Sequence, residues 1–297
     1  MSLEYFYLKI GKGNKAAKEW LAGKNPLNKP AVVIYFDSLE EKDYRSNKPC
    51  KEALEFYHRG FEPKASTTRM VVINEGEVFI LKPKGQVVFL PSELNEEGNP
   101  HIPKAMPIEI LVRKNMAKAP LVLAGITANR FLSSGTFRRI TDPGNLKALD
   151  CFSGISSSGD HWPKGIFTAD DLLGCLGSTE METLVAKCLE ELGYFVPAYR
   201  GGNLKDIDLL AYNETGRPIK FAGIPLKDEV AIQVKRKKGK MECPPTCDLL
   251  VGMEVVGERT VNGPALMSQV LKLPQTKKWL KRSLAWLPTD LVLSLGL

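Results

Sequence analysis

Two short aliphatic runs constrain this chain more than any other feature: Val230-Ala231-Ile232-Gln233-Val234-Lys235, and Asp206-Ile207-Asp208-Leu209-Leu210 upstream. Both are rich in β-branched and aliphatic residues and are bounded by polar, turn-forming sequence, so both read as buried strands. Side chains two apart on a strand share a face. Gln233 and Lys235 therefore project together, while Ile232 and Val234 enter the packing. Pairing of the two strands through the loop between them would bring Asp208 beside that polar pair.

A carboxylate, a carbonyl-bearing side chain and an ammonium at one spot suit a divalent-metal phosphodiesterase site. Hard oxygen ligands hold Mg²⁺ (or Mn²⁺), and the cation meets charge developing on phosphorus. The run from Glu182 through Gly193-Tyr194, then Asp208, then Gln233-x-Lys235 resembles the Mrr-like branch of the PD-(D/E)xK restriction-endonuclease superfamily, in which Gln replaces the middle acid. The resemblance covers the chain from residue 179 on and says nothing about the first 150 residues. It implies a restriction-endonuclease-like α/β domain with a central mixed sheet, and Mg²⁺-dependent DNA cleavage leaving 5′-phosphates in a restriction or defence role. It also implies that Glu182 joins Asp208 and Gln233 at the metal, with Lys235 acting on the attacking water or the transition state. One departure stands out. The family usually places a helix after the Gln-x-Lys strand, but here only Arg236 to Cys247, with two prolines, precedes the next one. That is too little for a normal crossover helix, so the last strand is expected to pair antiparallel or the edge to be rebuilt.

A chain of 297 residues holds one large domain or two ordinary ones. No apolar run approaches the ~20 residues of a membrane-spanning helix. The start, Met-Ser-Leu-Glu-Tyr, lacks a basic region followed by an apolar one, so no secretory signal is visible and a cytoplasmic location is expected. Six scattered cysteines are too few for a disulfide scaffold. Residues 1–150 hold 23 basic and 17 acidic residues, a balance of +6, against 18 and 17, or +1, in the remainder. That asymmetry points to the N-terminal half as the place where a polyanion is held, although simple solubility explains it equally well.

The first 150 residues read as mostly β, a small barrel or curved sheet. Tyr5–Ile10 and Ala31–Phe36 are strand-like, and Lys15–Leu21 and Lys51–Tyr57 are helical. Glu77–Leu81 and Gln86–Leu90 flank Lys82-Pro83-Lys84-Gly85 as a hairpin, with further strands at Ile108–Val112 and Leu121–Leu123. Between Ala128 and Arg139, Arg130, Arg138 and Arg139 alternate with Phe131 and Phe137. This is either a DNA-contacting stretch or an ordinary loop with core phenylalanines. Residues 151–178 are Ser/Gly-rich and form the expected linker, with a short helix at Ala169–Leu173 capped by Thr168.

From Thr179 the pattern is helical. Met181, Leu184, Val185, Cys188, Leu189 and Leu192 make one apolar face, and Gly193 closes it. Thr179 and Glu182 fit a capping box, which gives Glu182 a structural role as well as a metal-binding one. Asp206 reads as a turn residue ahead of Asp208. Arg236, Lys237 and Lys238 run past the strand towards a DNA backbone. Cys243 and Cys247 have no second pair for zinc and read as incidental thiols in a turn. Asp248–Val256 is strand-like. The closing helices, near Ala265–Leu273 and Gln275–Leu287, carry Trp279, Leu280, Leu284, Trp286 and Leu287 as core or as the face of a homodimer. The expectation is therefore a two-domain endonuclease: a basic, mostly-β DNA-recognition domain (1–150), then an α/β nuclease domain (179–297). A junction-specific repair nuclease and a catalytically inactive DNA-binding relative are the alternatives.

Overall fold

The computed structural model describes all residues except 1–2, 12–13, 95–97, 129–131, 133, 155–160, 163–165, 198–205 and 237–240. The chain has mixed α/β content and divides into two compact units, residues 1–119 with 123–160, and residues 120–122 with 161–297.

The first unit is built on a curled mixed sheet. Its strands are β1 (Glu4–Leu8), β2 (Ala31–Ile34), β3 (Thr68–Asn74), β4 (Glu77–Pro83), β5 (Val88–Phe89), β6 (Lys104–Asn115) and β7 (Phe137–Arg139). They lie in the order β2-β6-β4-β3-β1-β7, with β5 also on β6. Only β1 and β3 run parallel, with Glu4 opposite Thr68. The curl comes from β6, whose first residues pair with β2 while its remainder pairs with β4. The β4–β6 register slips between Ile80 and Leu81, and such a bulge sharpens the local twist.

The hairpin expected across Pro83 does not form. Glu77–Pro83 turns back on Thr68–Asn74, and Val88–Phe89 pairs with β6 instead. Glu75 and Gly76 both have positive φ, 47° and 76°, the requirement of a two-residue turn that matches strand twist. Leu121–Leu123 is a 3₁₀ turn and not a strand. Phe137, from the arginine-rich stretch, is core. It stacks on Phe6 at 4.7 Å and meets Phe56 edge-on at 5.4 Å.

The second unit holds a five-stranded sheet: β8 (Tyr194–Phe195), β9 (Leu209–Asn213), β10 (Glu229–Lys235), β11 (Leu249–Gly252) and β12 (Thr260–Val261), in that order. The pairs β8/β9 and β9/β10 are antiparallel, whereas β10/β11 and β11/β12 are parallel. The antiparallel pairing expected for the Leu249 strand is thus overturned. The connection from Arg236 to Asp248 is long enough for a parallel return, and Met241 within it forms a parallel bridge with Val255.

Among the described residues five helices complete the frame of this unit: α1 (Ala169–Leu173), α2 (Ser178–Leu192), α3 (Gly263–Leu271), α4 (Pro274–Ser283) and α5 (Thr289–Ser294). Thr168 caps α1 as expected, its Oγ1 accepting from the Asp171 N–H at 3.2 Å. α2 buries Met181, Leu184, Val185, Cys188 and Leu189 and ends on Gly193 at φ 98°. At the start of α3, Asn262 Oδ1 accepts from the Ala265 N–H. A Cβ on Gly263 would lie 1.7 Å from Asp170 Oδ1, so a side chain there would displace the Asp170 carboxylate of α1. Leu280, Leu284 and Leu287 are buried, which assigns them to core packing.

Candidate functional site

The β9/β10 pair has two unlike faces. Leu209 sits opposite Ile232 and Ala211 opposite Val230, and these four, with Val234, are buried. The alternate face carries Asp208, Leu210 and Tyr212 from one strand and Ala231, Gln233 and Lys235 from the other. On it every side chain is half-buried except Gln233, which is 2% exposed. A polar side chain buried on an otherwise half-open face must be hydrogen-bonded. Gln233 meets this by donating Nε2–H to Asp206 Oδ1 at 3.4 Å.

Asp208 lies one residue before β9, not within it as the sequence pattern implied. Its backbone N–H donates to Ile232 O at 2.9 Å, and its Oδ2 accepts from the Val234 N–H at 2.7 Å. One carboxylate oxygen thus completes the sheet ladder where β9 begins. Asp206 has φ 68°, the turn role expected of it. Its carbonyl accepts the Cys247 thiol, and burial pushes that thiol up to about 11. Cys243 Sγ lies 3.6 Å from Cys247 O, and burial raises its pKa also. The two cysteines are protonated turn residues.

Glu182 is not a capping residue. The helix starts at Ser178, two residues earlier than a cap at Thr179 implies, and Glu180 takes that role, its Oε2 accepting from the Gly177 N–H at 2.8 Å. Glu182 stands half-buried in the first turns of α2. Burial, and then the charge of Asp208, hold its carboxyl above the usual range, while Lys235 pulls the other way. Pre-strand turn and strand end therefore bring the charges of Asp208 and Lys235 to bear on Glu182 of the helix. Among the described residues Lys235 makes no ion pair of its own.

Arg236 is turned inward. Its guanidinium donates to Leu176 O at 3.2 Å and Gly174 O at 3.5 Å, and burial lowers its pKa. It ties the end of β10 to the α1–α2 connection. Lys237, Lys238 and Arg130 lie outside the described residues. Arg138 is paired with Glu52 at 2.5 Å, and Arg139 with Glu4 at 2.8 Å. Both arginines carry ion pairs within the first unit.

The donor set around Gln233 is two carboxylates and one amide oxygen. All are hard oxygen donors, and the charge of Asp208 helps raise Glu182, a stress that a small divalent cation would relieve. The residues fit Mg²⁺ or Mn²⁺. No three His, Cys, Asp or Glu side chains gather as a metal site among the described residues, and here the third donor is an amide. Glu180's capping role had a signal in the sequence, since Gly177 with an acid three residues later is an N-terminal cap pattern. The Asp206–Gln233 contact had none. Compared with protein-family models, curated proteins and solved structures, the chain has no match.

Proposed function

We propose that the second unit is a divalent-cation-dependent phosphodiesterase acting on DNA, of the restriction-endonuclease-like kind that Glu182, Asp208 and Gln233-x-Lys235 resemble. The observation that carries this reading is that Asp208, bonded to the strand on both sides of the buried Gln233, and Lys235 both act electrostatically on Glu182. Glu182, Asp208 and the Gln233 oxygen would hold Mg²⁺ or Mn²⁺, which would supply Lewis acidity and a more acidic water. The chain's own part is positional. Asp208 is fixed by the Val234 N–H, which leaves its second oxygen for ligation. Lys235, which makes no ion pair among the described residues, places a positive charge where a phosphate gains charge in the transition state. The basic excess of residues 1–150 would hold the DNA.

The test is nicking of supercoiled plasmid by the full chain with and without Mg²⁺. The wild type should nick only with the cation, and Lys235→Ala should abolish nicking while gel-shift binding persists. Binding without nicking by the wild type, in either Mg²⁺ or Mn²⁺, would reduce the unit to a DNA-binding relative. Cleavage confined to branched DNA of any sequence would favour a junction nuclease.

A further inference from the structure

We propose that Asp206 is a positioning residue that decides which end of the Gln233 amide faces the carboxylates. The proposal rests on the cation-site reading above and concerns a residue outside that ligand set. An amide side chain has a donor end and an acceptor end of nearly the same size, and only the oxygen end serves a hard cation. Asp208 bonds the strand on both sides of Gln233, at Ile232 O and the Val234 N–H, and its charge acts on Glu182; beside these carboxylates the intrinsic preference runs the wrong way. In the cation-free protein, two carboxylates attract the NH₂ end, and an amide so turned would hold them as a hydrogen-bond donor and block the site.

Asp206 opposes that flip. An ionised carboxylate only accepts, so the amide end beside it must be Nε2, as the 3.4 Å contact has it. Gln233 is 2% exposed, so water is poorly placed to substitute for either partner. Asp206 is itself braced. Its left-handed backbone at φ 68° carries a carbonyl that accepts the Cys247 thiol. Cys247 is in turn fixed through its N–H to Pro244 O at 3.0 Å and through its own carbonyl, which accepts from Arg259 Nη1 at 2.7 Å. The turn before β11 therefore holds the turn before β9, and the carboxylate of that second turn holds the amide.

The experiment is Mn²⁺ binding to the full chain, followed by the loss of free-ion paramagnetic resonance signal. Four proteins are compared: wild type, Asp206→Ala, Gln233→Glu, and the double variant. Loss of an outer partner of a metal ligand typically weakens binding about 10–100-fold, and Asp206→Ala should fall in that range. With Glu at 233 both ends are oxygens and no wrong orientation exists. The double variant should then bind Mn²⁺ at least as tightly as Gln233→Glu alone. A similar loss in both backgrounds, or none in the Asp206→Ala single variant, overturns the positioning role and leaves the cation site standing. No Mn²⁺ binding by the wild type overturns the cation site itself, and the positioning role with it.

Discussion

Asp208 is assigned two separable jobs, holding the ladder and offering charge, and a pair of substitutions distinguishes them. Its Oδ2 accepts from the Val234 N–H at 2.7 Å, and Val234 is 7% exposed. Asp208→Ala leaves that buried N–H without an acceptor, a loss of about 1–3 kcal/mol. For a body of this size each kcal/mol moves the melting midpoint by roughly 2–4 °C, so the fall should be roughly 2–12 °C. Asp208→Asn keeps an oxygen at the same place, removes the charge, and should cost under about 1 kcal/mol. It also removes the like charge that helps raise Glu182. Calorimetry of the full chain, paired with Mn²⁺ titration, reads both effects. Asn should melt close to wild type and bind Mn²⁺ weakly, whereas Ala should lose on both counts. If Ala melts within a degree of wild type, or Asn falls as far as Ala, the ladder role is wrong.

Two further outcomes follow from other carboxylates. Glu182 is held above the usual range by burial and by Asp208, so it stays protonated to higher pH than an ordinary Glu. Cation binding should tighten as pH rises through that raised value, with proton uptake by buffer visible in calorimetry, and Glu182→Gln should flatten the dependence. The sign is opposite for folding: the cation-free protein loses stability as pH rises and Glu182 ionises. At neutral pH Glu182→Gln should therefore melt slightly higher without cation, by no more than about 1 kcal/mol after allowing for its exposure. Glu191 behaves oppositely. It accepts from the Gln275 N–H (3.0 Å), the Thr276 N–H (2.7 Å) and the Thr276 hydroxyl (2.8 Å) at the start of α4. Against the opposing effect of burial, these bonds hold its carboxyl below the usual range. That stability is present above the ordinary glutamate value and disappears as pH falls through the lowered one. Glu191→Ala should cost about 0.5–2 kcal/mol in urea unfolding at pH 7, and the difference should shrink in acid.

What the sequence made legible were features written in local periodicity. Val230–Lys235 and its partner showed their alternation, and the α2 face with its Gly193 terminus showed both period and stop. Partner choice was a different matter. Thr68–Asn74, Glu77–Pro83 and Val88–Phe89 are all aliphatic, and nothing in their composition says which pairs with which. Pro83 resembled a turn centre yet ends a strand opposite Ile108. The deciding signal was Glu75-Gly76, two positions with positive φ between β3 and β4. The site divided in the same way. Gln233 and Lys235 on one face followed from the two-residue strand repeat. The release of Glu182 from capping depended on a two-residue shift of the cap of α2, from Thr179 to Gly177, and element ends are where pattern reading is weakest.

Charge counting explains why an amide serves at 233. Under the proposed reading the groups facing the cation are Glu182, Asp208 and Lys235, a sum of −1, and a divalent ion brings it to +1, the complement of one phosphodiester. An acid at 233 would bring the loaded site to zero. It would bind the cation more tightly, because a third carboxylate is a stronger ligand than an amide, and would attract phosphate less. Gln233→Glu should therefore tighten Mn²⁺ binding and, with Mn²⁺ saturating, weaken binding of a short DNA duplex relative to wild type. The weakening should fade as salt rises, because exposed charge effects are screened within about 10 Å at 0.1 M. Weaker Mn²⁺ binding by Gln233→Glu would mean that residue 233 does not face the cation, and the charge argument would fail with it.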